Sequence, residues 1–180
     1  MDAVEVPSSF VRQTLQQCTG KPGSTLPHQI VRPTRHKAVF AEGGVLRCLY
    51  IFDAASSYER KNPLAVLKAF ECAFAPGETE LTFNVGNPQA NTRQFAAFSE
   101  ACARVVGVRI LTKPLDHAAL EDLYLARDVY LSLHRSEGFG LPIREAMLYG
   151  LHVSWSQAGP AIWISCTANW PTPCPMSLCR

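Results

Sequence analysis

Apolar runs and stretches of helical periodicity alternate along most of this chain. Val45 to Phe52 is apolar at nearly every position, the pattern of a strand buried on both faces of a parallel sheet. After Pro63, Leu64, Leu67, Ala69, Phe70 and Phe74 give an apolar helical face and predict a helix from 63 to about 75. Asn62 is its expected cap, with Pro63 at the first helical position, where a missing N–H costs nothing. A strand is predicted over 80–86, and a helix over 91–104 with Phe95, Phe98, Ala101 and Cys102 on one side. A strand over 105–111 and a helix from the cap Asp116 to Ala126 follow. A strand from Val129 to Leu133 then leads into a helix in which Ile143, Ala146, Met147 and Gly150 share a face. Such βαβ repetition predicts an α/β fold: a Rossmann-like parallel sheet with helices on both faces, covering residues 40–152. Ligands then belong at the C-terminal ends of the strands.

The two ends depart from this rhythm. Residues 1–39 read as an irregular arm, with a short helix over 6–15 capped by Ser8 or Ser9 and a short strand over 25–31. From Val153 to Cys179 there is no Asp, Glu, Lys or Arg, while Trp155, Trp163, Trp170 and four prolines fall there. No period is sustained, so 153–180 is expected to be an aberrant, unstructured tail that makes a poor soluble surface.

Composition narrows the class. Hydrophobic content of 47% with 18% charged residues fits one globular domain. A net charge of +2 argues against nucleic acid as a partner. No run approaches the length of a transmembrane helix, and the N-terminus lacks the basic and apolar regions of a signal peptide. Seven cysteines are present. Cys48, Cys72 and Cys102 fall in apolar segments and read as small core residues. No Cys/His pair has zinc-ligand spacing, so neither metal nor cofactor is expected. Reduced thiols and a cytoplasmic location follow, compatible with a peripheral position at the inner face of the membrane.

Candidate chemistry gathers in two loops, each after a strand and before a helix. In 134–141, Glu137-Gly138-Phe139-Gly140-Leu141-Pro142 leads into a helix whose second turn carries Glu145. Free backbone amides at that helix end favour an anion. The two carboxylates, with seven residues between them, suit neutral hydroxyls such as a sugar or ribose diol. The alternative for each glutamate is a solvated loop residue or a helix residue that only complements the dipole. In 53–62, Arg60 and Lys61 supply charge for a diphosphate, and Ser56 and Ser57 supply hydrogen bonds; a solvated basic pair is the alternative.

Together these residues carry a resemblance. The segment from Glu137 to Met147 resembles the E-x7-E motif of the group 1 (family 4) retaining glycosyltransferases, down to E-G-F-G-L and E-A-M. R-K-N-P at 60–63 and V-P-S-x-F-V near the N-terminus, followed by Pro27-His28, are also similar to that family. The resemblance covers roughly residues 4–153 and implies the donor-binding half of the two-domain GT-B architecture, with the chain beginning near the hinge. His28 would then lie near the interdomain cleft. It implies that Glu137 faces the donor sugar, Glu145 the nucleotide ribose and Lys61 the donor phosphates, with the amides around Phe139 and Gly140 near the diphosphate or sugar. It further implies retention of anomeric configuration and no obligatory metal. Phe52-Asp53 stands where many members carry G-R, so a second cation on the diphosphate rests on Arg60 alone.

The expected function is therefore transfer of a sugar from a nucleotide-diphosphate sugar to a glycan acceptor, with Glu137 and Lys61 as catalytic residues. Arg60, Lys61, Glu137, Gly138, Phe139, Gly140, Leu141 and Glu145 are the expected donor-binding residues. Two further readings stand beside it. One is a truncated, inactive donor-domain remnant that at most binds nucleotide; an adjacent reading frame encoding a separate acceptor domain as its partner would favour a split or frameshifted gene instead. The other is an unrelated nucleotide-binding regulatory module. With suitable codons, a one-base shift near residue 153 turns the tail into the family's S-G-N-x-D-F-M continuation, so an out-of-frame tail is expected.

Overall fold

The structure, a computed structural model, describes residues 3–30, 33–35 and 44–155. Its centre is a five-stranded sheet built from β3 (Leu46–Asp53), β4 (Thr79–Gly86), β5 (Val108–Leu111), β6 (Val129–Ser132) and β7 (His152–Trp155), in the order β5-β4-β3-β6-β7. Every pairing is parallel, with Leu46 opposite Thr79 and Cys48 opposite Val129. The helices between them are α2 (Tyr58–Lys61), α3 (Pro63–Ala73), α4 (Thr92–Ala103), α5 (His117–Leu125) and α6 (Leu141–Leu148).

Successive side chains of a strand point to opposite faces, and β3 shows the consequence. Cys48, Tyr50 and Phe52 pack with Val66, Leu67 and Phe70 of α3 and Phe98 and Cys102 of α4. Leu49 packs on the other face with Tyr124 of α5 and with Ile143 and Ala146 of α6. A strand covered on both sides needs an apolar residue at nearly every position, which is why 45–52 carries one.

The chain runs from β3 to β4 to β5, then returns to lay β6 along the other side of β3. The strand order thus reverses between β3 and β6. In open α/β sheets the crevice at such a reversal, beyond the strand ends, is where ligands bind. The loops leaving β3 and β6 both open there.

Several elements differ from the expected ones. The N-terminal segment forms β1 (Val4–Val6), α1 (Ser9–Thr19) and β2 (Gly23–Thr25), with β1 and β2 paired in parallel. Ser8 caps α1, its hydroxyl accepting the Val11 N–H. The expected strand over 25–31 is absent within the described residues, because β2 ends at Thr25. Strand β5 begins at Val108 and not at 105, after Gly107 turns the chain at φ +83°. In α3 the buried residues are Pro63, Val66, Leu67 and Phe70, while Leu64 is exposed and Ala69 faces outward. Asn62 does not cap α3: it adopts a left-handed conformation (φ 55°), and its side chain donates to the Leu133 carbonyl at 3.0 Å. Asp116 does cap α5, accepting from Ala119 N at 2.8 Å. Cys48 and Cys102 are buried as expected, whereas Cys72 is exposed; these three and Cys18 are free thiols. The sheet runs past 152, since Val153, Ser154 and Trp155 pair with Tyr130, Leu131 and Ser132. The rest of the expected tail lies outside the described residues.

Candidate functional site

The loop after β3 tightens into α2, a single turn that starts when the Ser57 hydroxyl accepts the Arg60 N–H at 3.2 Å. Ser57 also donates to Glu59 at 2.8 Å, so its hydroxyl joins the backbone of the turn to a neighbouring carboxylate. The left-handed Asn62 then turns the chain sharply into α3. Lys61 sits on that corner and is buried to 8% exposure. The loop after β6 meets it. Arg135 donates its N–H to the Arg60 carbonyl at 2.9 Å, which together with the Asn62 bond to Leu133 fastens the two loops together.

Three basic groups converge on one oxygen. The Lys61 ammonium donates to Glu137 Oε2 at 2.8 Å, the Arg60 guanidinium reaches it at 3.3 Å, and His134 Nε2 lies 3.8 Å away. Arg60 also donates to the Ser136 carbonyl at 3.2 Å. Burial alone would raise the Glu137 carboxyl. The hydrogen bond and charge of Lys61, helped by His134 and Arg60, outweigh it and hold the group below its ordinary range.

His134 was not singled out from the sequence. It is 1% exposed, with Nδ1 at 2.6 Å from the Ser132 hydroxyl and Nε2 at 3.2 Å from the Tyr50 hydroxyl. Tyr50 in turn donates to the Lys61 carbonyl. Burial first, then the Lys61 charge, lowers the imidazole to about 4, so it is neutral at physiological pH. The available signal was its place three residues before Glu137 at the end of a buried strand.

Glu145 lies in the second turn of α6 and accepts from the Tyr124 hydroxyl at 2.9 Å. Burial raises its carboxyl against the opposing effect of that bond. The ring of Tyr124 stacks on Tyr149 at 5.0 Å, which fixes the donor. The helix itself starts at Gly140, whose φ of 74° suits glycine, and Leu141 is 38% exposed at its first position.

The remaining loop residues are held by the N-terminal segment. The Gly138 carbonyl accepts from the Ser8 hydroxyl at 2.7 Å. The Phe139 ring is buried, with the His28 ring edge-on at 4.9 Å and the Arg144 guanidinium 4.8 Å from its centroid. The Phe139 ring therefore anchors the loop. Among the described residues no group of three His, Cys, Asp or Glu side chains could hold a metal ion, and no helix is long and apolar enough to cross a membrane.

No protein-family model matches the chain, and neither does any curated protein sequence. Solved structures do match. The Anabaena protein HepE in complex with UDP and glucose aligns with a TM-score of 0.67 and 18% identity over 90% of this chain and 46% of its own. The lipopolysaccharide outer core galactosyltransferase WaaB aligns at 0.63, with 18% identity, over 91% of this chain and 46% of its own. The pneumococcal O-GlcNAc transferase GtfA, in complex with UDP and GlcNAc, aligns at 0.61, with 18% identity, over 88% of this chain and 31% of its own. The chain thus spans less than half the length of these glycosyltransferases, and its Rossmann-like fold is that of one half of a GT-B glycosyltransferase.

Proposed function

We propose that this chain is the donor-binding lobe of a retaining glycosyltransferase, holding a nucleotide-diphosphate sugar for transfer to a glycan acceptor. The observation that carries the reading is the pairing of Lys61 and Arg60 with Glu137 at the strand-order reversal, beside the first turn of α6. The diphosphate is the natural ligand of the two cations and the α6 amides. As the bond to the sugar breaks, negative charge grows on that diphosphate, and fixed positive groups lower the barrier. Glu145 takes the ribose hydroxyls and Glu137 a hydroxyl of the sugar. The backbone from Gly138 to Leu141 lies against the diphosphate or sugar, and neither metal nor cofactor has a part. The solved relatives in complex with UDP support the nucleotide side of this reading.

Titration calorimetry of the purified chain with UDP and with UDP-glucose tests it. Glu145→Ala should weaken both ligands, whereas Glu137→Ala should weaken only UDP-glucose. Equal binding by wild type and Lys61→Ala would remove the reading.

A second reading, favoured by coverage of less than half of the matched chains, is a lobe that binds nucleotide and transfers nothing by itself. In a GT-B enzyme the donor lies between two lobes, and orientation is worth roughly 7–11 kcal/mol of barrier. These 180 residues should then hold nucleotide at about millimolar Kd, about −4 kcal/mol. Sugar transfer by this chain with no added partner would overturn that second reading alone.

A further inference from the structure

We propose that His134 is a positioning residue that takes over the Glu137 carboxylate when Lys61 turns from it to a donor diphosphate; this rests on the function proposed above. The tautomer of His134 follows from the protons its neighbours carry. A phenol has one, and Tyr50 donates its own to the Lys61 carbonyl. In the 3.2 Å contact with His134 the Tyr50 oxygen can therefore only accept, so Nε2 carries the hydrogen. Nδ1 is then bare and accepts from the Ser132 hydroxyl at 2.6 Å. The geometry assigns the neutral Nε2–H tautomer, and burial of the ring favours the neutral form.

That same Nε2–H lies 3.8 Å from Glu137 Oε2, too far for a hydrogen bond. While Lys61 and Arg60 hold the carboxylate, none is needed. A diphosphate draws both cations away. Glu137 would then be a carboxylate with a side chain only 16% exposed and no cation on it, a costly state. A tilt of the imidazole that gives up the Tyr50 oxygen and brings Nε2 about 1 Å closer makes a normal, charge-assisted hydrogen bond to Glu137. Ser132 pins the far side of the ring, so the movement is a tilt about a fixed point. The exchange replaces a cation with a neutral donor. It keeps Glu137 oriented and leaves its second oxygen free to accept a sugar hydroxyl.

Nitrogen-detected NMR of the full chain with labelled histidine tests this without any ligand. In wild type, His134 should show a protonated Nε2 and a bare Nδ1. In a Lys61→Met, Arg60→Met variant, the Nε2 proton should move downfield as it turns to Glu137, and adding Glu137→Leu should abolish the movement. An Nδ1–H tautomer in wild type, or no change in that double variant, would overturn the proposal whether or not the chain binds nucleotide. In calorimetry, His134→Gln keeps a donor at that position and should hold UDP-glucose within about threefold of wild type. His134→Phe should weaken UDP-glucose about tenfold and UDP much less. Equal weakening of both ligands by His134→Phe would reduce His134 to a structural role. Failure of wild type to bind UDP, with the NMR result intact, would overturn the function and leave the Glu137 takeover standing.

Discussion

The Lys61 ammonium lies 2.8 Å from Glu137 Oε2, although 76 residues separate them in the chain. Both side chains are largely buried, at 10% and 16% exposure. Removing Lys61 leaves the buried carboxylate with only the more distant Arg60, whereas removing both takes away the buried pair. Lys61→Met should therefore cost about 1–3 kcal/mol in denaturant unfolding. Lys61→Met with Glu137→Leu should recover most of it, and a double variant no more stable than the single would contradict the pairing.

The same pair sets an acid limb. Glu137 titrates below its ordinary range in the folded chain, so its contribution is complete above the unfolded value of about 4.3 and is lost as pH falls through the lower folded value. In Lys61→Met the carboxyl should titrate higher, as followed by side-chain carbon NMR. An unchanged titration would mean that Lys61 is not what lowers it.

Glu145 behaves in the opposite sense. Its carboxyl is raised by burial, so the folded chain prefers the protonated form and loses stability as pH rises from the unfolded toward the folded value. Glu145→Gln removes that charge and keeps an acceptor for Tyr124. The variant should melt above wild type at pH 7, and the gap should close below about pH 4.3. A lower melting temperature at pH 7 would show that the carboxylate itself is required for folding.

His134 adds a second limb on the acid side. Its folded value of about 4 lies below the ordinary imidazole value of about 6.5. Its contribution is complete above the unfolded value and falls away on acidification toward the folded one. Tyr50, Ser132, Lys61, Arg60 and Glu137 face the ring among the described residues; the charges of Lys61 and Arg60 oppose its protonation and that of Glu137 favours it. His134→Gln should flatten the stability profile between about pH 6.5 and 4. An unaltered slope there would assign the acid loss to other groups.

Gly107 offers a test of the fold itself. It turns at φ +83°, and a Cβ there would lie 2.6 Å from the Thr79 carbonyl oxygen, backbone that cannot step aside. Gly107→Ala should cost at least about 2 kcal/mol, because backbone strain and a collision add. A loss below half of that in chemical denaturation would mean the turn is free to relax.

The parallel βαβ sheet, and the meeting of Lys61 with Glu137, were legible because strand–helix alternation and the strand-end position of both loops leave their mark on the sequence; the strand order was not. Nor was the direction of Leu64. Its helix buries Pro63, Val66, Leu67 and Phe70, a regular i, i+3, i+4, i+7 set, and the expected face that included Leu64 and Ala69 is out of phase with it. The packing of the N-terminal segment was hidden for a different reason. Its bond from Ser8 to Gly138 joins positions 130 residues apart, and neither residue has a pattern that names the other. His134 was missed because a histidine at the end of an apolar strand has no periodic mark, and its value lies in three partners from separate elements.

The return of the chain from β5 to β6 also fixes the order in which the protein can be made. A ribosome that has delivered β3, β4 and β5 has delivered three neighbouring strands, which can associate as they emerge. Lys61 and Arg60 are present by then, but Glu137 and His134 are not. The inner edge of β3 stays open until β6 arrives, and only then do the two loops meet. Closing so long a loop is a slow, non-local step. The pocket consequently forms only after β3, β4 and β5 have been delivered, and until then the unpaired edge of β3 is the nascent chain's point of exposure to aggregation.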